Sequence, residues 1–362
     1  NDLDGNFFLY LGYGYTHRLK PYVDLFDHKG MYIFWIEGLG ALMGGKNGMF
    51  VIMSLYMCAN FFCYNLIFRE MGYEKTVSYL LSSIIGIILS CFAACGGHHT
   101  GDLLNPFFSV TVLFYIRAIM RSSEKDFLFA SSFAGFSAGL SFLSRPSEAA
   151  LPLGFVVFFF VYWLRKEKKD LSLLWNAFLA IAFFFLPIGV SFLEALIRGF
   201  FKEMLDSMVF QNFSYVSKHW DLSRIIASLE TTFLVLLSLG LLFYHRKKVQ
   251  INLFLFFFIG VLTDGIMQIF ISRYINYWIS FLPFALIGLF ASYIQKDFNK
   301  KIRTISFSSI GVIYFSFSLF FCLTSFLMKE PLIVGGLELR ASYHTNKICE
   351  KNLDELIEKK GP

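Results

Sequence analysis

The side chains able to do chemistry lie in five short polar stretches of an otherwise apolar chain. Asp2 and Asp4 open the sequence, and Asp24, Asp27, His28 and Lys29 follow a stretch containing Phe7, Phe8 and Tyr10. The second group, at 96–102, holds His98, His99, Thr100 and Asp102. The third is Ser144-Arg145-Pro146-Ser147-Glu148 and the fourth is Lys218-His219-Trp220-Asp221. The fifth runs Ser272-Arg273-Tyr274-Ile275-Asn276-Tyr277. Ionisable groups beside lipid are costly and persist where they line a watery or protein-walled cavity. Carboxylates, a lysine and two isolated arginines on one face suit a reaction at a phosphorylated lipid headgroup. A carboxylate there serves as general base for an incoming hydroxyl. Fixed Arg and Lys hold phosphate and offset charge on a departing group.

The elements that position these groups follow from composition. Only 16% of residues are charged and 56% are hydrophobic, with 47 Phe among 362 residues. A soluble domain carries roughly a quarter charged residues, so a soluble fold is excluded. Apolar runs of about 20 residues, the length that crosses a bilayer as helix, predict spans near 48–68, 76–95, 103–119, 126–144, 149–164, 171–194, 225–244, 250–270, 275–294 and 304–328. The stretch 31–44 is shorter, holds Glu37 and several Gly, and reads as an interfacial or re-entrant helix. The fold class expected is all-α: a polytopic membrane bundle at 48–328, an external loop with juxtamembrane helices at 1–47, and the start of an external segment at 329–362.

Charge counting supports a non-spanning 31–44. With that choice, one set of short loops holds between two and four basic residues each, from Arg69 and Lys75 through Arg117, Arg121 and Lys125 to Lys296, Lys300, Lys301 and Arg303. The short loops on the opposite side hold only Arg145 and Arg273. The positive-inside rule then makes the first set cytoplasmic and puts all five polar groups on the outer face of a plasma (inner) membrane. The first residue is Asn and no span precedes the acidic segment, from which we expect a missing first helix and a longer parent protein. The net charge of +6 follows from the cytoplasmic loops, and no basic patch points to nucleic acid. Cys58, Cys63, Cys91 and Cys322 fall within spans, where Cys packs as a small apolar residue.

The order Asp4-Gly5-Asn6-Phe7-Phe8-Leu9-Tyr10-Leu11-Gly12, then Pro21-Tyr22-x-Asp24-x-Phe26-Asp27-His28-Lys29-Gly30, resembles the first external loop of GT-C membrane glycosyltransferases. The likeness is closest to the bacterial branch related to protein O-mannosyltransferases and lipid A aminoarabinose transferases. Nearly the whole chain follows that layout, and the Asp-His-Lys-Gly segment is its specific part. Met31 departs from the Pro usual there, which alters the start of the next helix more than the chemistry. The resemblance implies an inverting transfer from a polyprenyl-phosphate-linked sugar to a glycan, lipid or protein acceptor outside the cytoplasm. It implies Asp4 as general base, Asp102 near a second acidic position, and Lys29 beside the donor phosphate. Arg145 and Arg273 are phosphate candidates from sidedness, and Asp27, His28, His99, Tyr274 and Tyr277 are candidates for substrate contact.

Each assignment has a plainer rival. Asp4 can cap a helix, and Asp24 and Asp27 can cap the one starting near Lys29. Lys29, Arg145 and Arg273 can anchor helix ends at the interface. Tyr274 and Tyr277 can belong to the aromatic belt. His98, His99 and Asp102 can hold a divalent metal, although a plain polar turn is commoner and no cofactor is called for. Asp264, inside a span, is assigned no chemistry. At the level of function, the rival is a transporter or flippase for a lipid-linked or anionic substrate, which would place ionisable groups near the midplane.

Overall fold

The computed structural model describes residues 3–90, 100–166, 171–211, 222–246, 250–271 and 282–291. Among the described residues every regular element is a helix and there is no strand. Helices α1 (Leu3–Thr16) and α2 (Met31–Leu42) flank the loop at 17–30. They are followed by α3 (Lys46–Glu70), α4 (Lys75–Ser90), α5 (Thr100–Arg121) and α6 (Glu124–Phe142). A single 3-10 turn (Pro146–Ala149) leads into α7 (Ala150–Leu164), then α8 (Ser172–Arg198) and the short α9 (Phe201–Leu205). A π-helical turn (Asp206–Gln211) follows α9, and then come α10 (Leu222–His245), α11 (Ile251–Ile271) and α12 (Leu282–Ala291).

Five stretches are long and apolar enough to cross a membrane: Lys46–Glu70, Thr100–Arg121, Pro146–Leu164, Leu174–Arg198 and Ile251–Phe270. They match the spans expected at 48–68, 103–119, 149–164, 171–194 and 250–270. Those expected at 76–95, 225–244 and 275–294 fall on α4, α10 and α12, whose apolar described parts are shorter. The one at 126–144 falls on α6, which begins Glu124-Lys125-Asp126 and is diluted by Ser. The one at 304–328 lies outside the described residues. Helix α2, with 12 residues, reaches about 18 Å, well short of a ~30 Å hydrocarbon core. It is buried along most of its length, Glu37 included.

Small residues set the tightest helix pair. Helices α6 and α8 meet across Gly135 and Gly139, one turn apart: a Cβ on Gly135 would sit 2.0 Å from the Ala180 carbonyl oxygen. Only a residue without a side chain permits that approach, the small-xxx-small pattern of lipid-embedded helix pairs. Elsewhere the abundant Phe makes the core. Tyr115 of α5, Phe155 and Phe158 of α7, Phe256 of α11 and Phe284 of α12 form a ring cluster with centroids 5.1–6.0 Å apart. Tilted and edge-on pairs at such spacing are favourable beyond their buried area.

The charged residues collect at two opposite ends. At one, Arg121 of α5 grips Glu70 of α3 through two oxygens, at 2.5 and 2.7 Å, with Arg117 Nε at 3.0 Å. Lys166, after α7, lies 3.6 Å from Glu124 of α6 at that same end. The other end of α5, 22 residues long and so about 33 Å away, begins at Thr100 and faces the loop at 17–30 and the turn after α6.

Candidate functional site

The loop at 17–30 is built to hold a fixed shape. The Asp24 carboxylate accepts from the Lys20 N–H at 2.8 Å, and the Tyr22 N–H donates to the Leu25 carbonyl at 2.7 Å. Tyr22 adopts φ 65°, a left-handed backbone that costs a bulky residue free energy and needs surrounding support. Its ring is buried on Phe34 and Phe200, 5.4 and 6.1 Å away, and its hydroxyl donates to the Lys29 carbonyl at 2.8 Å. Burial among these rings also pushes the Tyr22 hydroxyl well above its ordinary value, so it stays a donor.

Asp27 organises the functional end of the loop. Its Oδ1 accepts from the backbone N–H groups of His28 at 2.6 Å and Lys29 at 3.2 Å. Its Oδ2 lies 3.6 Å from the Lys29 ammonium. Lys29 is turned inward, 17% exposed, with Nζ 4.5 Å from the centre of the Phe8 ring. That cation–π contact sets Lys29 over α1, one turn from Asp4. The Asp4 backbone belongs to the first turn of α1, and its side chain lies outside the described part. Burial, and next the Lys29 charge, lower the His28 imidazole below its ordinary 6.5 against the opposing pull of Asp27. The helix-capping role expected for Asp24 and Asp27 is not what the structure has. Both carboxylates brace the loop itself, and α2 starts at Gly30 without a side-chain cap.

Gly30 fastens this loop to the turn after α6. A Cβ there would lie 2.4 Å from the Leu143 carbonyl oxygen, and the Tyr32 N–H donates to that same oxygen at 3.1 Å. Arg145, 15% exposed, lies in that turn and pairs with Glu148 at 2.7 Å. Glu148 is completely buried. Its Oε1 also accepts from the Thr100 hydroxyl of α5 at 3.1 Å, and the charges of both Arg145 and Lys29 act on it. Around this centre, Glu148 Oε2, Asp27 Oδ2 and the hydroxyls of Ser144 and Ser147 are buried without a hydrogen-bond partner. Such atoms are expensive in a closed protein; a bound polar molecule would satisfy them.

The structure thus joins Lys29, Asp27, His28 and Arg145, four of the residues picked from sequence. Asp102 is adjacent but differently placed: it lies in the first turn of α5 rather than in a loop, and its charge acts on Tyr64 of α3. His99, Arg273, Tyr274 and Tyr277 lie outside the described residues. So do His98, Lys218, His219 and Asp221. Among the described residues no group of three His, Cys, Asp or Glu is placed to hold a metal.

Two participants escaped the sequence reading. One is Glu148, whose i+3 spacing from an isolated arginine is a readable ion-pair signal. The second is a clasp between Glu194 and Arg198 near the end of α8. Tyr15 and Trp35 donate to the two Glu194 oxygens at 2.8 Å each, and Arg198 binds Glu194 at 2.9 Å and the Leu19 carbonyl at 2.9 Å. Burial and the Glu194 acceptor push the Tyr15 hydroxyl up to about 12. Helix α8 continues to Arg198, and α9 follows it directly. The clasp ties α1, its loop and α2 to α8, and thereby fixes the height of Lys29.

Comparison of the chain with protein-family models, with curated proteins and with solved structures finds no match in any of the three.

Proposed function

We propose that this chain is a multi-pass membrane glycosyltransferase that moves a sugar, with inversion, from a polyprenyl-phosphate donor to an acceptor on the outer face of the plasma membrane. The observation that carries this reading is the convergence of Lys29 and Arg145, distant in sequence, on the buried Glu148, with Lys29 over Phe8, which lies one helical turn along α1 from Asp4. The donor phosphate binds between the two cations, exchanging part of their pairing to Asp27 and Glu148 for its own oxygens. Asp4 takes the proton of the acceptor hydroxyl. That oxygen bonds to the anomeric carbon from the face opposite the phosphate, and the carbon–oxygen bond to phosphate breaks. Polyprenyl phosphate leaves with the bonding pair, its charge offset by Lys29 and Arg145.

The test uses purified protein in liposomes with a panel of radiolabelled polyprenyl-phosphate sugars, alongside mass analysis of envelope glycans from cells lacking the protein. Consumption of one donor, and loss of the matching sugar from the glycans, are the expected results. Asp4→Asn lowers turnover about 1000-fold while donor binding persists. Unchanged turnover would remove Asp4 from the mechanism.

One observation favours the transporter alternative: Asp264 is wholly buried within α11 and bonded by Gln268 at 3.1 Å. Asp264→Asn separates the two, because a glycosyltransferase keeps its turnover in that variant whereas a transporter coupled through this carboxylate stops.

A further inference from the structure

The polar centre around Glu148 has two chemically distinct halves. Lys29 and Arg145 supply positive charge, which suits phosphate. The other half is a carboxylate oxygen, Glu148 Oε2, buried without a hydrogen-bond partner, as are the hydroxyls of Ser144 and Ser147 in the same turn. Phosphate cannot satisfy the carboxylate oxygen, because a phosphate dianion offers acceptors only. Oε2 needs a donor, an O–H or N–H, while serine hydroxyls give and take hydrogen bonds alike. A group rich in hydroxyls next to a phosphate meets both demands at once.

We propose that Glu148 reads the transferred sugar, its Oε2 accepting a hydrogen bond from a hydroxyl or amine of the sugar while Oε1 stays on Arg145 and Thr100. This rests on the glycosyl-transfer reading and adds to it the residue that tells a sugar-bearing lipid from the bare lipid phosphate. Arg145 links the two halves: it is held at 2.7 Å by the group that senses the sugar, so phosphate and sugar are recognised in one register.

The experiment measures binding to the full chain in nanodiscs of three probes: polyprenyl phosphate, polyprenyl-phosphate hexose and polyprenyl-phosphate aminopentose. Glu148→Gln keeps an oxygen for Arg145 and Thr100 while removing a charge that competes with phosphate for Arg145, so it is expected to bind bare polyprenyl phosphate at least as tightly as the parent protein. It is expected to lose at least about tenfold on the sugar-bearing probes, the size of one hydrogen bond to a charged group. A markedly larger loss on the aminopentose identifies the donor as an ammonium, and equal losses identify a hydroxyl. Ser147→Ala, a smaller change, is expected to weaken the sugar-bearing probes alone, by about fivefold, and tests the proposal even if Glu148→Gln fails to fold. Unchanged affinity for the sugar-bearing probes, or an equal loss on all three, overturns the proposal. A parent protein that binds none of the three instead overturns the glycosyl-transfer reading beneath it.

Discussion

Lys29 touches three kinds of neighbour: a carboxylate, an aromatic ring and, through charge, the buried Glu148. Lys29→Met preserves the packing on Phe8 and removes the charge. Turnover should fall about 100-fold or more, with the melting temperature nearly unchanged; a normal rate in this variant would mean the phosphate sits elsewhere. His28 makes a pH prediction. Its folded value lies below 6.5 because burial and Lys29 disfavour the charged form. On acidification the unfolded chain therefore takes up this proton first. Stability falls as pH drops from 6.5 toward the folded value, and levels off below it. His28→Asn should flatten that part of the profile, read as the difference in melting temperature between about pH 7.5 and about pH 5.5.

Helices carry these side chains to one place through contacts that tolerate little change. Gly135 of α6 leaves no room for a side chain against the α8 backbone. Gly135→Leu should cost roughly 3 kcal/mol or prevent assembly of the pair, measured by denaturation in detergent. Gly30→Ala likewise drives a Cβ against the Leu143 backbone, so it should lower the melting temperature in detergent and, on the proposed reading, donor binding as well. Glu194→Ala strips the clasp from Tyr15, Trp35 and Arg198 together. It should destabilise the protein by roughly 2 to 3 kcal/mol, because a partly buried arginine and two donors lose their acceptor. Each of these three contacts joins residues far apart in sequence, which is why none was legible beforehand.

Among the described residues, two charged groups lie at opposite ends of the long helices. Glu70, Arg117, Arg121, Glu124 and Lys166 gather at one, and Asp27, Lys29, Arg145 and Glu148 at the other. On the loop charges alone, the positive-inside rule would turn the Lys29 end outward. Single cysteines in a cysteine-free background test this orientation. In intact cells a membrane-impermeant maleimide should label Val23→Cys, and should reach Lys125→Cys only after lysis. The reverse pattern would put the polar centre on the cytoplasmic side and remove an extracytoplasmic acceptor from consideration.

Hydropathy needs nothing beyond local composition, so the amino-acid order alone determined the helical class, the positions of the five helices long and apolar enough to cross a membrane, and the short α2. It also marked Arg145, since an isolated charge in an apolar chain stands out without any fold, and the polar segment that holds Lys29. What it left open was partnership. That Asp27 braces its own loop, that Asp102 opens a helix, and that Glu148 lies at the centre of the charged group depend on which helix ends meet. Only the close approaches at Gly30 and Gly135, and the clasp at Glu194, decide that meeting, because contacts between distant segments are set by packing in three dimensions rather than by any local pattern.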